Sequence, residues 1–261
     1  MLYPLVFIGL CYFFLMPVCD SDIERPDLLP IIAEIMDKPY SRLYPSLFLY
    51  CKLLWALCLV AGICGWNGLF SILSIVMTAG IGIFDAMGDS DEWEFVWVVS
   101  NSVSILFITG YFIYELLVQQ NNLRFCNLHK SRLWLLLLIV FLVWCPVKQV
   151  EKDIVWDFSL HAFLYNYAGT SFCHVGPTLL AVLLLFYPHV NRRLVGISTA
   201  VCSLYGVFSV GTHLWSHQMP LVVMHLPLLV VSIYGYYLYF SPVEGKKEEE
   251  EKEKEEKEKE E

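Results

Sequence analysis

Charge is what this 261-residue chain has least of: 16% of its residues are Asp, Glu, Lys or Arg, against 57% that are hydrophobic. The last sixteen, Lys246 to Glu261, are all Lys or Glu, which leaves only 27 charged residues among the first 245. A soluble domain carries about a quarter of its residues charged, so composition argues against a water-soluble fold. Positive charge is scarcer still. With 17 Lys and Arg against 26 Asp and Glu, the net charge is −9. No basic stripe of the kind nucleic acid requires runs through the chain, and no nucleic-acid partner is expected. The nine cysteines include no CxxC. Seven of them (Cys11, Cys51, Cys58, Cys64, Cys145, Cys173 and Cys202) lie in or at the ends of apolar runs, where a thiol packs as a small hydrophobe. Cys19 and Cys126 fall in separate loops. No repeat of 20 to 50 residues is visible, which removes direct support for a solenoid or an inverted-repeat transporter.

Long apolar runs are what the chain does have. A bilayer core of about 30 Å takes about 20 mostly apolar residues as helix, because the helix satisfies its own backbone where lipid cannot. Eight segments fit: Tyr3 to Val18, Pro45 to Gly65, Leu69 to Met87, Trp93 to Val118, Leu133 to Val147, Ala162 to Tyr187, Leu194 to Gly211 and Pro220 to Phe240. The expected fold is an all-α membrane bundle of about eight transmembrane helices (six to eight) with a disordered, charged C-terminal tail. Residues 1–19 read as a first transmembrane helix or uncleaved signal anchor, since no Lys or Arg precedes the apolar run. Residues 20–44 form a polar, partly amphipathic loop, 45–241 the bundle and 242–261 the tail. The fifth run is short, and a re-entrant or thinned passage is the alternative there. Counting basic residues in alternate loops gives Arg124, Lys130, Arg132, Arg192, Arg193, Lys246 and Lys247 on one side, and Arg25, Lys38, Arg42, Lys148 and Lys152 on the other. That bias places both termini in the cytosol.

Ionisable residues inside such runs are costly and usually face the bundle interior. Glu94 and Glu115 sit near helix ends and can reach the interface, Asp85 has the same escape, and Lys52 can snorkel. The histidines His161, His174, His213, His217 and His225 fall in the C-terminal third beside Asn166, Thr170, Ser171, Thr212 and Ser216, so that third reads as a polar site. His213 and His217 are spaced i,i+4 and share a face if the helix runs through Trp215. Seven histidines with one HxxxH pair are too few for a di-iron desaturase. No cofactor is therefore expected. The alternative is a single zinc, held by His213, His217 and either His174 or His225, with Asp85 as a fourth ligand. Hydroxyl nucleophiles are available at Ser46, Ser100, Ser102, Thr170, Ser171 and Thr178, and spacing does not choose among them.

The stretch CHVGPTLLAVLLLFYPHVNRRLVGISTAVCSLYGVFSVGTHLWSHQMP, which begins at Cys173, resembles the C-terminal half of the androgen-induced/FAR-17a family of membrane proteins. His174, Arg192 and Arg193, Tyr205, His213 and Pro220 follow the family's order of residues. Upstream, RLYPSLFLYCKLLWALCLVAGI looks like the helix that carries the family's essential threonine, and Ser46 is its best match. The resemblance covers about half the chain. It implies a membrane hydrolase of fatty-acid esters of hydroxy fatty acids, with Ser46 as nucleophile and His174 as base. Tyr205, His213 and Asn166 are the expected substrate contacts, and a membrane lipid is the expected partner. Three departures stand out: Ser46 in place of threonine, no acidic residue after the His174 helix, and eight expected spans against six. A branch that looks like the rolling stone proteins keeps the helix pattern without apparent catalysis. A non-catalytic scaffold or receptor-like protein is therefore one alternative, and a zinc-dependent, ceramidase-like hydrolase is another.

Overall fold

The structure, a computed structural model, describes residues 17–19, 31, 34–35, 39–90, 92–150 and 153–241. The expected first span up to Met16, most of residues 20–38 and the Lys/Glu tail lie outside them. The protein is mostly helical. Among the described residues, eight α-helices can be bounded: α1 (Phe48–Ile63), α2 (Asn67–Phe84), α3 (Val99–Val118), α4 (Trp134–Trp144), α5 (Leu160–Tyr165), α6 (Phe172–Leu185), α7 (Arg192–Trp215) and α8 (Met219–Phe240). Five of them are long and apolar enough to cross a bilayer, α1 counted with the turn Pro45–Leu47 that leads into it; α5 and α6 make a sixth if their bent pair is one span. The outer faces of the spanning helices carry exposed Leu53, Leu57, Val60, Ile72, Val76 and Ile233, the surface a lipid environment accepts.

Every residue of α6 from Phe172 to Leu185 is buried, and α1, α2, α4, α7 and α8 all pack on it. Apolar burial gives little drive between helices that lie in lipid, so association relies on close packing. At Gly235 a Cβ would meet Thr199 Oγ1 at 2.5 Å, which is how closely α8 approaches α7.

One end of the bundle is covered by strands. β1 (Val18–Cys19), β2 (Met87–Ser90) and β3 (Glu94–Trp97) form an antiparallel sheet in the order β1-β3-β2, with Val96 opposite both Cys19 and Gly88. Ile31 and Ile35 are buried against Val96 and Val98 beneath it. A hairpin of β4 (Val147–Val150) and β5 (Asp153–Trp156) lies between α4 and α5. At this sheet end α1, α3, α6 and α8 begin, and α2, α4 and α7 finish.

Several expected boundaries move. Val18, the end of the first expected span, lies in a strand. Met87, residues Glu94 to Trp97 and Val147 also pair as strands rather than extending helices. A short apolar run does not by itself distinguish strand from helix, and here the β-branched and aromatic residues of EFVW decide for the sheet. The fifth run yields only the eleven residues of α4, about 16 Å of helix and too short to cross a bilayer core. It stops because Cys145 takes a left-handed backbone (φ 49, ψ 67) and Pro146 cannot continue the helix. The sixth run breaks at Ser171, with Leu160–Thr170 lying at 86° to α6. The count of eight spans thus becomes five or six among the described residues.

Three ionisable side chains expected at the interface are buried instead. Lys52 donates to the carbonyl of Phe163, and Asp85 is taken up with the site below. Glu115, 2% exposed, closes the opposite end of the bundle. Its Oε1 accepts the Asn121 backbone N–H at 2.6 Å and its Oε2 accepts Asn191 Nδ2 at 2.6 Å. Asn121 Oδ1 accepts the Asn191 N–H at 2.7 Å. Asn191 Oδ1 in turn caps α7 by accepting from Arg193 and Leu194. Buried Arg132 donates to the carbonyls of Leu184 and Tyr187, tying the start of α4 to the end of α6.

Candidate functional site

His174 stands on the first turn of α6, the helix at the centre of the bundle, and is 2% exposed. The break before it places it there. Asn166 caps the short 3-10 turn Tyr167–Thr170 by accepting from Ala168 N–H at 3.0 Å. Gly169 lets that turn press on the backbone of α1, where a Cβ would come within 3.0 Å of the Lys52 nitrogen. The Asn166 amide also donates to the carbonyls of Trp144 at 2.7 Å and Cys145 at 3.1 Å. These are acceptors that the end of α4 leaves without helical partners. One asparagine therefore fixes the end of α4 against the turn that leads into α6. As a result Cys145 Sγ lies 3.3 Å from His174 Nε2, and the tautomer decides which atom donates. Cys145 is fully buried. His174 Nδ1 has no hydrogen-bond partner among the described residues.

Further groups close round the pair. The Tyr167 ring meets His174 edge-on at 5.9 Å, and the Arg42 guanidinium lies 4.1 Å from the centre of the same tyrosine ring. Lys52 passes over the Phe163 ring at 5.0 Å. Trp55 Nε1 donates to Thr178 Oγ1, one turn beyond His174, at 2.9 Å. Asp85, one residue past the end of α2, accepts from Ser41 at 2.9 Å and from the Phe172 N–H at 3.4 Å. Burial pushes its carboxyl up to about 6, although Arg42, Ser41 and the Phe172 N–H all favour the charged form. Over this region a cleft of about 570 Å³ opens, lined by Arg42, Phe48, Lys148, His161, Asn166 and Tyr167 among others.

The residues singled out from sequence are distributed unevenly over this geometry. His174 is at its centre and Asn166 lines the cleft. Tyr205 is buried beside the site, but its hydroxyl donates to the Asn101 carbonyl at 3.2 Å and its ring lies tilted against that of Phe172, centres 4.8 Å apart. His213 reaches the site through His225: its ring is 4.7 Å from that of His225, which is 6.2 Å from His174. The Nδ1 of His213 faces Gln218 Oε1 at 3.0 Å. His217 does not share the His213 face. The helix ends at Trp215, and His217 turns outward with φ 57, so the i,i+4 spacing is not realised. Among the described residues no three His, Cys, Asp or Glu side chains are grouped so as to hold a metal ion, so His213, His217 and His174 do not assemble as the zinc alternative supposed.

Ser46 is exposed on the turn Pro45–Leu47 that leads into α1, and its hydroxyl makes no hydrogen bond among the described residues. His174 is bonded to Cys145 and not to Ser46. Nothing in the spacing or composition separates Cys145 from the other thiols in apolar runs. Its one distinguishing mark, a Pro directly after it at the end of a short run, becomes informative only once the left-handed turn is seen. Compared with known proteins, the chain matches no family model, no curated protein and no solved structure.

Proposed function

We propose that the protein is an integral membrane enzyme of lipid acyl chemistry, a hydrolase of a lipid ester, with Cys145 as nucleophile and His174 as base. The observation that carries the reading is the 3.3 Å contact between Cys145 Sγ and His174 Nε2 inside the bundle. A thiol beside an imidazole is the arrangement that activates sulfur, and thiolate is the reactive form. A left-handed backbone at a non-glycine residue such as Cys145 stores strain of the kind that gathers at functional sites. The resemblance to the androgen-induced/FAR-17a family supports a lipid ester as substrate and His174 as base. The thiol takes the place that the resemblance gave to Ser46.

The chemistry balances without any further group. Cys145 Sγ attacks the ester carbonyl carbon while His174 Nε2 takes the thiol proton. The bond to the alcohol oxygen then breaks, and Nε2 returns the proton to that oxygen. Water opens the resulting thioester: His174 takes a proton from it, the acid departs, and the proton passes to the sulfur.

A second reading has one observation in its favour. Cys145 is 0% exposed, which suits a hydrogen bond that merely fastens α4 to α6 in a non-catalytic scaffold. Full-length protein in liposomes, given a chromogenic long-chain fatty-acyl ester, separates the two. The enzyme reading expects acyl product and a thioester on Cys145 by mass spectrometry, both lost in Cys145→Ala and in His174→Ala and both kept in Ser46→Ala. Loss in Ser46→Ala alone would return the nucleophile to Ser46. No turnover by the folded wild-type protein on a set of acyl esters would favour the scaffold.

A further inference from the structure

We infer that His225 is the positioning residue of the proposed base: through one bridging water it accepts the Nδ1–H of His174 and so holds Nε2 open toward Cys145. The inference rests on the enzyme reading for its catalytic consequence; the hydrogen bond itself stands on the arrangement of the imidazoles. To take a proton from Cys145, His174 must present a bare Nε2 to the thiol 3.3 Å away, which puts its own proton on Nδ1. That nitrogen has no hydrogen-bond partner among the described residues although His174 is 2% exposed, and a buried donor left unpaired is costly. The ionisable side chains that act on His174 electrostatically are His225, Arg42 and Lys52. As cations, arginine and lysine only donate, which leaves the imidazole of His225 as the acceptor.

The tautomer of His225 is fixed by its own helix. Its Nδ1 lies 2.7 Å from the Leu221 carbonyl, one turn back on α8. A carbonyl cannot donate, so Nδ1 carries the proton and Nε2 keeps its lone pair. The ring centres of His174 and His225 are 6.2 Å apart, a separation at which no direct bond joins them and which suits one water between two polar groups. Behind His225, the His213 ring packs at 4.7 Å and is itself held at Nδ1 by Gln218. Tyr167 is the rival partner, since its ring meets His174 edge-on at 5.9 Å and a ring face is a weak acceptor of N–H. When the thiol proton moves to Nε2, His174 becomes a cation and the chain from its Nδ1–H to His225 becomes charge-assisted, which favours the thiolate.

The test uses the full-length protein in detergent with isotope-labelled histidine, whose imidazole nitrogens report by NMR which of them carries the proton. The alkylation rate of Cys145 is followed in parallel. Wild type is expected to hold His174 as the Nδ1–H tautomer. His225→Leu is expected to lose that preference and to slow alkylation about tenfold, the effect of one charge-assisted contact. His225→Gln, which returns an acceptor oxygen at a similar reach, is expected to restore both. His225→Phe takes the place of the leucine variant if that one does not fold. A His174 tautomer unchanged in the folded variant, or one that follows Tyr167→Leu instead, would overturn the inference. So would a loss that His225→Gln fails to restore, because lost packing would then account for it. Tautomers that follow His225 while alkylation is indifferent to His174→Ala would break the enzyme reading and leave the hydrogen bond standing.

Discussion

The two ends of the bundle use the same kinds of residue to opposite effect. At the closed end Glu115, Asn121, Asn191 and Arg132 bond to one another, to backbone N–H groups and to carbonyls, and their product is a set of locked helix ends. At the sheet end Asp85, Arg42, Asn166, Cys145 and His174 converge beneath a cleft. Each end leaves buried polar atoms without a hydrogen bond among the described residues: Asn121 Nδ2 and Tyr187 OH at one, His174 Nδ1 at the other. An orphaned polar atom therefore does not mark a site by itself. What separates the two ends is that the second carries its orphan on an imidazole whose other nitrogen faces a thiol at 3.3 Å.

The comparison breaks most sharply at Glu115. Glu115→Ala removes two charge-assisted hydrogen bonds and strands both donors, and is expected to cost about 3 kcal/mol. Thermal unfolding in detergent should show this, while the reactivity of Cys145 in the protein that remains folded should be unchanged.

Next comes the hinge that builds the site. Gly169→Ala sets a Cβ about 3.0 Å from the α1 backbone and is expected to cost about 1 to 3 kcal/mol. Because the turn it displaces carries Asn166 and Tyr167, activity should fall by more than the melting temperature accounts for.

Asp85 gives a signature in pH. Its folded carboxyl, raised to about 6, lies above the unfolded value of about 3.9. Between roughly pH 4 and 6 the folded state holds more protons than the unfolded one, so stability falls as pH rises through that window and levels off above it. Melting temperatures of Asp85→Asn should lack this acid-side slope, and a slope identical to wild type would remove Asp85 as its source. The smallest effect is expected at the proposed nucleophile itself. Cys145→Ser keeps a hydrogen-bonding group opposite His174 and should change stability by less than about 1 kcal/mol.

Much of the bundle was legible because lipid makes a simple demand: five apolar runs became helices long enough to cross it. The sheet was not legible. EFVWVV continues an apolar run without a break, and only its pairing with Met87 to Ser90 ends the helix expectation at Val99. The breaks at Cys145 and Ser171 follow from packing around Asn166 and Gly169, which no periodicity reports. His174 could be singled out because an imidazole at membrane depth must be turned inward. Its partner could not, since a cysteine in an apolar run looks the same whether it fills space or faces a base. Lys52, Asp85 and Glu115 went the other way. Their nearness to helix ends pointed to solvent, yet each found carbonyl, hydroxyl or amide partners inside the protein.

The claim that the sheet end is reactive and the closed end structural is tested most directly by the alkylation rate of each cysteine. Full-length protein in liposomes is treated with a membrane-permeant iodoacetamide, and each thiol is followed by peptide mass spectrometry. Cys145 should react about tenfold faster than Cys58 and Cys202, which are equally buried but sit beside no imidazole, and His174→Ala should abolish that advantage. Should Cys145 react no faster than those two thiols, or keep its rate without His174, the pair is a fastening between helices and not a catalytic site.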